Sequence, residues 1–151
     1  LTPSGTTLQV GQSATLSYHV IRDPSKVSKL QVAISSVTRV PSSIRVLARG
    51  GQLYYVRAKV KKVGATTADT QGFAAPFQVY GDDGAELDNL ASGPDFPCCG
   101  PTETAPGYLE VGDQRSTCNL YSLNSGDHPA AVIFDLFDAN GTETKITWTV
   151  P

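Results

Sequence analysis

The sequence contains no methionine, one tryptophan, two histidines and three cysteines, and each scarcity removes a kind of chemistry. Without Met, a blue-copper centre loses its usual axial ligand, and His19, Cys118 and His128 make a poor remainder. Two imidazoles and no G-x-S-x-G elbow leave a serine nucleophile without its base and orienter. His19 falls on the polar face of a strand and His128 in an Asp-His-Pro loop, both ordinary surface positions. A reactive thiolate needs a His or a helix N-terminus beside it, and the sequence sets neither beside Cys98, Cys99 or Cys118. No apolar run approaches the ~18 residues of a membrane-spanning helix. Glu and Lys, good helix formers, number only four and six, so the helices of a βαβ crossover have little raw material.

What is abundant is β-forming: 15 Thr, 14 Val and 5 Ile. The 151 residues, 40% of them hydrophobic, suffice for one domain with an ordinary core, since domains run to roughly 100 to 200 residues. Alternation then places the strands. Ala14, Leu16, Tyr18 and Val20 share one face and Thr15, Ser17 and His19 the other, until Asp23-Pro24-Ser25 ends the segment. Leu30, Val32 and Ile34 alternate with Gln31, Ala33 and Ser35 in a second strand running toward Pro41. The clearest strand covers 53–63, with Tyr54, Val56, Ala58 and Val60 on one side and Tyr55, Arg57, Lys59 and Lys61 on the other. It predicts an antiparallel strand with a buried face and a solvated basic face.

Further strands are predicted at 73–80, 116–123, 131–137 and 145–150, with an Asn140-Gly141 hairpin joining the last two. The expected fold is all-β, an antiparallel immunoglobulin-like β-sandwich of about seven to eight strands. The antibody pattern itself is absent, because Trp148 follows every cysteine. Residues 1–10, polar and Pro/Gly-bearing, read as an N-terminal tether or an ordinary frayed terminus, and 11–151 as the domain.

The segment 88–107 departs from this regularity, being rich in Pro and Gly and holding Cys98 and Cys99. Loops that long are uncommon in compact domains and are usually functional or disordered. A bond from Cys98 or Cys99 to Cys118 would close about 20 residues and stabilise by ~3 kcal/mol, favouring an oxidising compartment. One sulfur is left over, and a vicinal Cys98–Cys99 bond is the strained alternative. The loop reads either as a rigid binding loop or as a flap that covers a sheet edge.

The net charge of −2 hides an asymmetry: residues 1–62 carry ten Lys/Arg against Asp23 alone, and residues 63–151 carry Arg115 and Lys145 against thirteen acids. Opposite charges of this kind can attract within one fold, and no aromatic-interleaved basic tract signals nucleic acid. Asp82, Asp83, Glu86 and Asp88, and likewise Asp138, Asn140 and Glu143, lack the spacing of an EF-hand and suit turns. Asp135 and Asp138, three apart in a strand-like segment, point to opposite faces and make a poor glycosidase pair. Neither a metal nor a cofactor is expected.

Several pieces carry a family likeness: Val10-Gly11-Gln12 before the first strand, Tyr54-Tyr55-Val56-Arg57-Ala58-Lys59-Val60 running to Gly64, and Phe77 followed by Asp82-Asp83-Gly84. Leu109-Glu110-Val111-Gly112-Asp113, before the Cys118 strand, is another. In these the chain resembles the immunoglobulin-like domains of secreted bacterial proteins and lipoproteins in the DUF4352 group and its MPT63-like relatives. Val63, where that family often has Asn, and the Cys98-Cys99 loop depart from the pattern. The resemblance implies an exported β-sandwich, often lipid-anchored through an upstream residue, and supplies no catalytic residues.

The expectation is therefore a non-enzymatic extracellular or cell-surface domain that binds a protein or cell-envelope ligand through loops, with a membrane met only through an upstream lipid anchor. Asp95, Phe96 and Glu103 of the 88–107 loop are the first candidates, Phe96 as the aromatic anchor. The alternative is a carbohydrate- or polyanion-binding module that uses Tyr55, Arg57, Lys59 and Lys61, and a structural spacer is the third reading.

Overall fold

The computed structural model describes residues 1–20, 23–41, 52–65, 77–92, 109–123, 128–137 and 142–151, and among them every helix or strand is a strand. In chain order these are β1 (Thr6–Gln9), β2 (Ser13–Val20), β3 (Asp23–Arg39), β4 (Gln52–Ala65) and β5 (Phe77–Gly81). Then follow β6 (Asp88–Ser92), β7 (Gln114–Leu123), β8 (Pro129–Phe137) and β9 (Glu143–Thr149). A four-stranded sheet runs β1-β9-β8-β5 and a five-stranded sheet β2-β3-β4-β7-β6. Every ladder is antiparallel except that of β1 with β9. This is the all-β sandwich that the composition predicts, with β1 and β6 as strands that alternation did not reveal.

The core forms where the apolar faces of the two sheets meet, β2–β5 and β7–β9 contributing alternate residues. Leu16, Val32, Ile34, Val56 and Val60 of one sheet and Val79, Val132, Phe134 and Ile146 of the other are buried in one cluster. Trp148 is fully buried, and its indole N–H donates to the Gln12 carbonyl at 2.9 Å, so its one polar group is satisfied. Phe77 stands edge-on to both Phe134 and Trp148, with ring centroids 6.0 and 6.4 Å away.

Three expectations are corrected. Residues 1–10 are not a free tether: Thr6–Gln9 pair with Ile146–Thr149, the Gly5 N–H donates to the Lys145 carbonyl, and the Thr2 N–H donates to that of Thr15. Leu8 packs against the core, which a polar reading of this segment overlooks. Asp23-Pro24-Ser25 opens β3 rather than closing a strand. The register slips so that Val20 faces Asp23 while His19 faces Val27, and a bulge of this kind tolerates a proline that has no N–H to give. Finally, the first five residues of 88–107 form β6 on the edge of β7, with an irregularity between Asn89 and Ala91 that leaves Leu90 exposed. The β8–β9 hairpin is present, paired out to Phe137 and Glu143; its Asn140-Gly141 turn lies outside the described residues, as do 73–76.

Candidate functional site

The outer face of the five-stranded sheet is organised around β4, which has β3 on one side and β7 on the other. Its even-numbered residues Tyr54, Val56, Ala58 and Val60 enter the core, which turns Arg57, Lys59 and Lys61 outward, ~6.8 Å apart at two residues per repeat. Each cation stands between uncharged partners: Arg57 between Ser36 and Cys118, Lys59 between Ala33 and Ser116, Lys61 between Gln31 and Gln114. Lys59 is exposed, and Arg57 and Lys61 are half-buried. The bulge in β3 between Ile34 and Ser36 lets the Ser35 hydroxyl donate to the Arg57 carbonyl at 3.1 Å, which pins the strand at the head of the row.

Lys29 joins this row from β3. It lies opposite Gly64, and a Cβ on Gly64 would stand 3.6 Å from that of Lys29, so the two share the outer face. Lys29 is exposed. Alternation with Leu30 and Val32 could have put it on the polar side of its own strand, but its place near Lys61 depends on a strand register that the sequence does not print.

Tyr55 corrects the expectation of a wholly solvated face. It is 2% exposed, packed with Val40, Leu53, Cys118 and Leu120 into a second, smaller core on the outer side of the sheet. The reason is registry: Tyr55 faces Leu120, so two large apolar side chains meet across β4 and β7. The Arg57 guanidinium sits 5.5 Å from the Tyr55 ring centre, a cation–π arrangement worth about 0.5 to 2 kcal/mol. Tyr55 therefore supports the row from below and offers no ring to a ligand.

Cys118 is buried, directly across from Arg57. Cys98 and Cys99, together with Asp95, Phe96 and Glu103, lie outside the described residues. The acidic turns do other work: an Asp83 oxygen accepts the Ala85 N–H at 2.8 Å, and an Asp82 oxygen accepts the His128 N–H at 3.3 Å, both closing backbone.

No family model matches the chain, and no curated protein matches it by sequence. Solved structures do match. The secreted protein MPT63 of Mycobacterium tuberculosis superposes with a TM-score of 0.62, at 19% identity, over 95% of each chain. The chain has the fold of MPT63. A candidate lipoprotein of Bacillus subtilis, ycdA, matches with a TM-score of 0.52 at 10% identity, over 91% of this chain and 39% of its own. Identities this low carry the fold and no residue roles, so within an MPT63-like sandwich the site is argued from its own side chains.

Proposed function

We propose that the chain is a non-enzymatic extracellular binding domain that takes an anionic cell-envelope ligand on the outer face of its five-stranded sheet. The observation that carries this is the row of Arg57, Lys59 and Lys61 on the central strand, flanked only by uncharged cross-strand partners and lengthened by Lys29. Like charges in a row oppose one another, and an anion laid along them relieves that repulsion. An extracellular address is supported by the two fold neighbours, one a secreted protein and the other a candidate lipoprotein. A disulfide from Cys118 would agree with that address, since oxidising compartments preserve such bonds.

The cysteine loop belongs to the same proposal. Cys98 and Cys99 are the only other cysteines of the chain, and a bond from either to Cys118 would fasten the loop at the Arg57 end of the row. Asp95, Phe96 and Glu103 would then serve a second, protein ligand distinct from the anion laid along the row, Phe96 as the apolar anchor.

Retention on a heparin column tests the face. Lys59→Gln/Lys61→Gln should elute at lower salt than the parent chain, with an unchanged melting temperature. Equal elution of the two, or flow-through of the parent at low salt, removes the face from the account. Alanine at Asp95, Phe96 and Glu103 together, with binding to isolated cell-envelope material unchanged, would remove the loop.

A further inference from the structure

Resting on the reading of this face as a binding surface, we infer its ligand class: a linear polymer with one phosphodiester charge per repeat, recognised through charge with no aromatic platform. The first ground is the layout of the cations. Arg57, Lys59 and Lys61 lie on alternate residues of one strand, and Lys29 continues them from the neighbouring strand at the Lys61 end. A compact anion is gripped by cations that converge on a point; these are strung out at ~6.8 Å intervals, which suits an extended chain with evenly spaced single charges. Sulfated glycans bear their charges in uneven clusters and fit the row less well. The partners beside the row are Ala33, Ser36, Ser116, Gln31 and Gln114, none bulky enough to block a polymer passing along the sheet. Lysine, a point charge on a flexible stem, can follow phosphates without demanding one bidentate geometry.

The second ground is what Tyr55 does. It is the aromatic of the row, and it is 2% exposed within the second core. Among the described residues no exposed aromatic stands on this face: Tyr18, Tyr54 and Tyr121 belong to the main core, and Tyr80 lies on the four-stranded sheet. Proteins that hold single-stranded nucleic acid combine a basic track with aromatic rings on which bases stack, worth about 1 to 3 kcal/mol per base. Among the described residues the track is present and the rings are not. A base-free phosphodiester chain, such as a polyol-phosphate polymer, needs only the track.

Titration of the whole chain with fluorescent poly(glycerol phosphate) at several salt concentrations tests this. Three to four contacts predict a slope of log K against log salt of about −2 to −3, at roughly 0.7 per phosphate on a flexible strand. Lys59→Gln should flatten the slope by about 0.7, while Arg39→Gln, on the same sheet but outside the row, should leave it unchanged. Oligothymidylate of equal charge should bind no more tightly, and a neutral oligosaccharide not at all. Tenfold tighter binding of oligothymidylate, of heparin or of polyglutamate overturns the phosphodiester class. If those ligands also respond to Lys59→Gln, the face survives and only the ligand class falls. Binding of the neutral sugar without salt dependence overturns the class as well. Failure of every anionic probe to bind sinks both the inference and the reading beneath it.

Discussion

Tyr121 in β7 ties one sheet to the other: its hydroxyl donates to the Phe77 carbonyl of β5 at 2.8 Å, and the residue is 1% exposed. Burial raises its pKa, the charge of Glu86 adds to that and a hydrogen bond with Asn119 opposes it, leaving the phenol pushed up to about 12 from 10.0. Burial moves Tyr18 in the same direction. A raised folded-state pKa means the contribution is complete below pH ~10 and is lost as pH climbs toward ~12, on the order of 2 to 3 kcal/mol for Tyr121. Thermal melts from neutral to strongly alkaline pH should show that loss, and Tyr121→Phe should flatten the alkaline limb while lowering stability at pH 7 by about 1 kcal/mol. An alkaline limb identical in both chains would mean that Tyr121 does not control it.

Lys62 is a second case at this scale. Its position continues the inward parity of Val56, Ala58 and Val60, so a lysine enters a core face, 1% exposed, where its ammonium donates to the Leu109 carbonyl at 3.0 Å. Its own N–H and carbonyl bond Asp113 and Gly112, and Gly112 completes that turn at φ 102, a conformation that side chains resist. Lys62→Ala should cost about 1 to 3 kcal/mol in urea unfolding, through the lost bond and lost packing of the stem. Alternation from Val56 to Val60 points Lys62 inward, but the sequence does not show the Leu109 carbonyl that receives its ammonium.

At the scale of elements, the strands with strict alternation were legible, and of the four edge strands β1 and β6 were not. β4 was readable because Tyr54, Val56, Ala58 and Val60 meet a core while Arg57, Lys59 and Lys61 meet water. β1 is four residues with only Leu8 packed on the core, and β6 carries a bulge that breaks the period; such strands exist through their neighbours' hydrogen bonds more than through their own side chains. A chain lacking residues 1–9 should therefore bare the edge of β9, melt lower and elute from size exclusion partly as aggregate, since an open edge invites pairing with another chain. A monomer with the parent's melting temperature would show that β1 is dispensable. Trp148→Ala, removing the largest buried side chain of β9, should cost about 3 to 5 kcal/mol by chemical denaturation.

Across the whole molecule, the charge asymmetry of the two chain halves acquires a location. Among the described residues, Lys29, Arg57, Lys59 and Lys61 of the first half lie on the outer face of one sheet while Lys62 is buried; of the second half's acids, Asp82, Asp83, Glu86, Glu110 and Asp113 lie outside the named strands and Asp88, Asp135 and Glu143 within them. The mutual attraction of oppositely charged halves is thus not needed to explain where the row of cations ends up. A staple from Cys118 to Cys98 or Cys99 would act at the same scale. Closing about 20 residues should contribute ~3 kcal/mol, so reductant should lower the melting temperature by roughly 6 to 12 °C for a chain of this size. Of Cys98→Ser and Cys99→Ser, the one that imitates reduction identifies the bonded sulfur, and a melt unmoved by reductant would remove the staple from the stability of the fold.

Taken alone, the sequence determined the class of secondary structure, the inward face of each regular strand and the basic character of one half of the chain. These are local properties, set by side-chain type at a period of two. Tertiary structure decided which strands lie side by side. That choice buried Tyr55 against Leu120, brought Lys29 toward Lys61 across a sheet register and set Cys118 opposite Arg57. Registry between segments distant in sequence is fixed by how whole faces fit together, and no single segment contains that information.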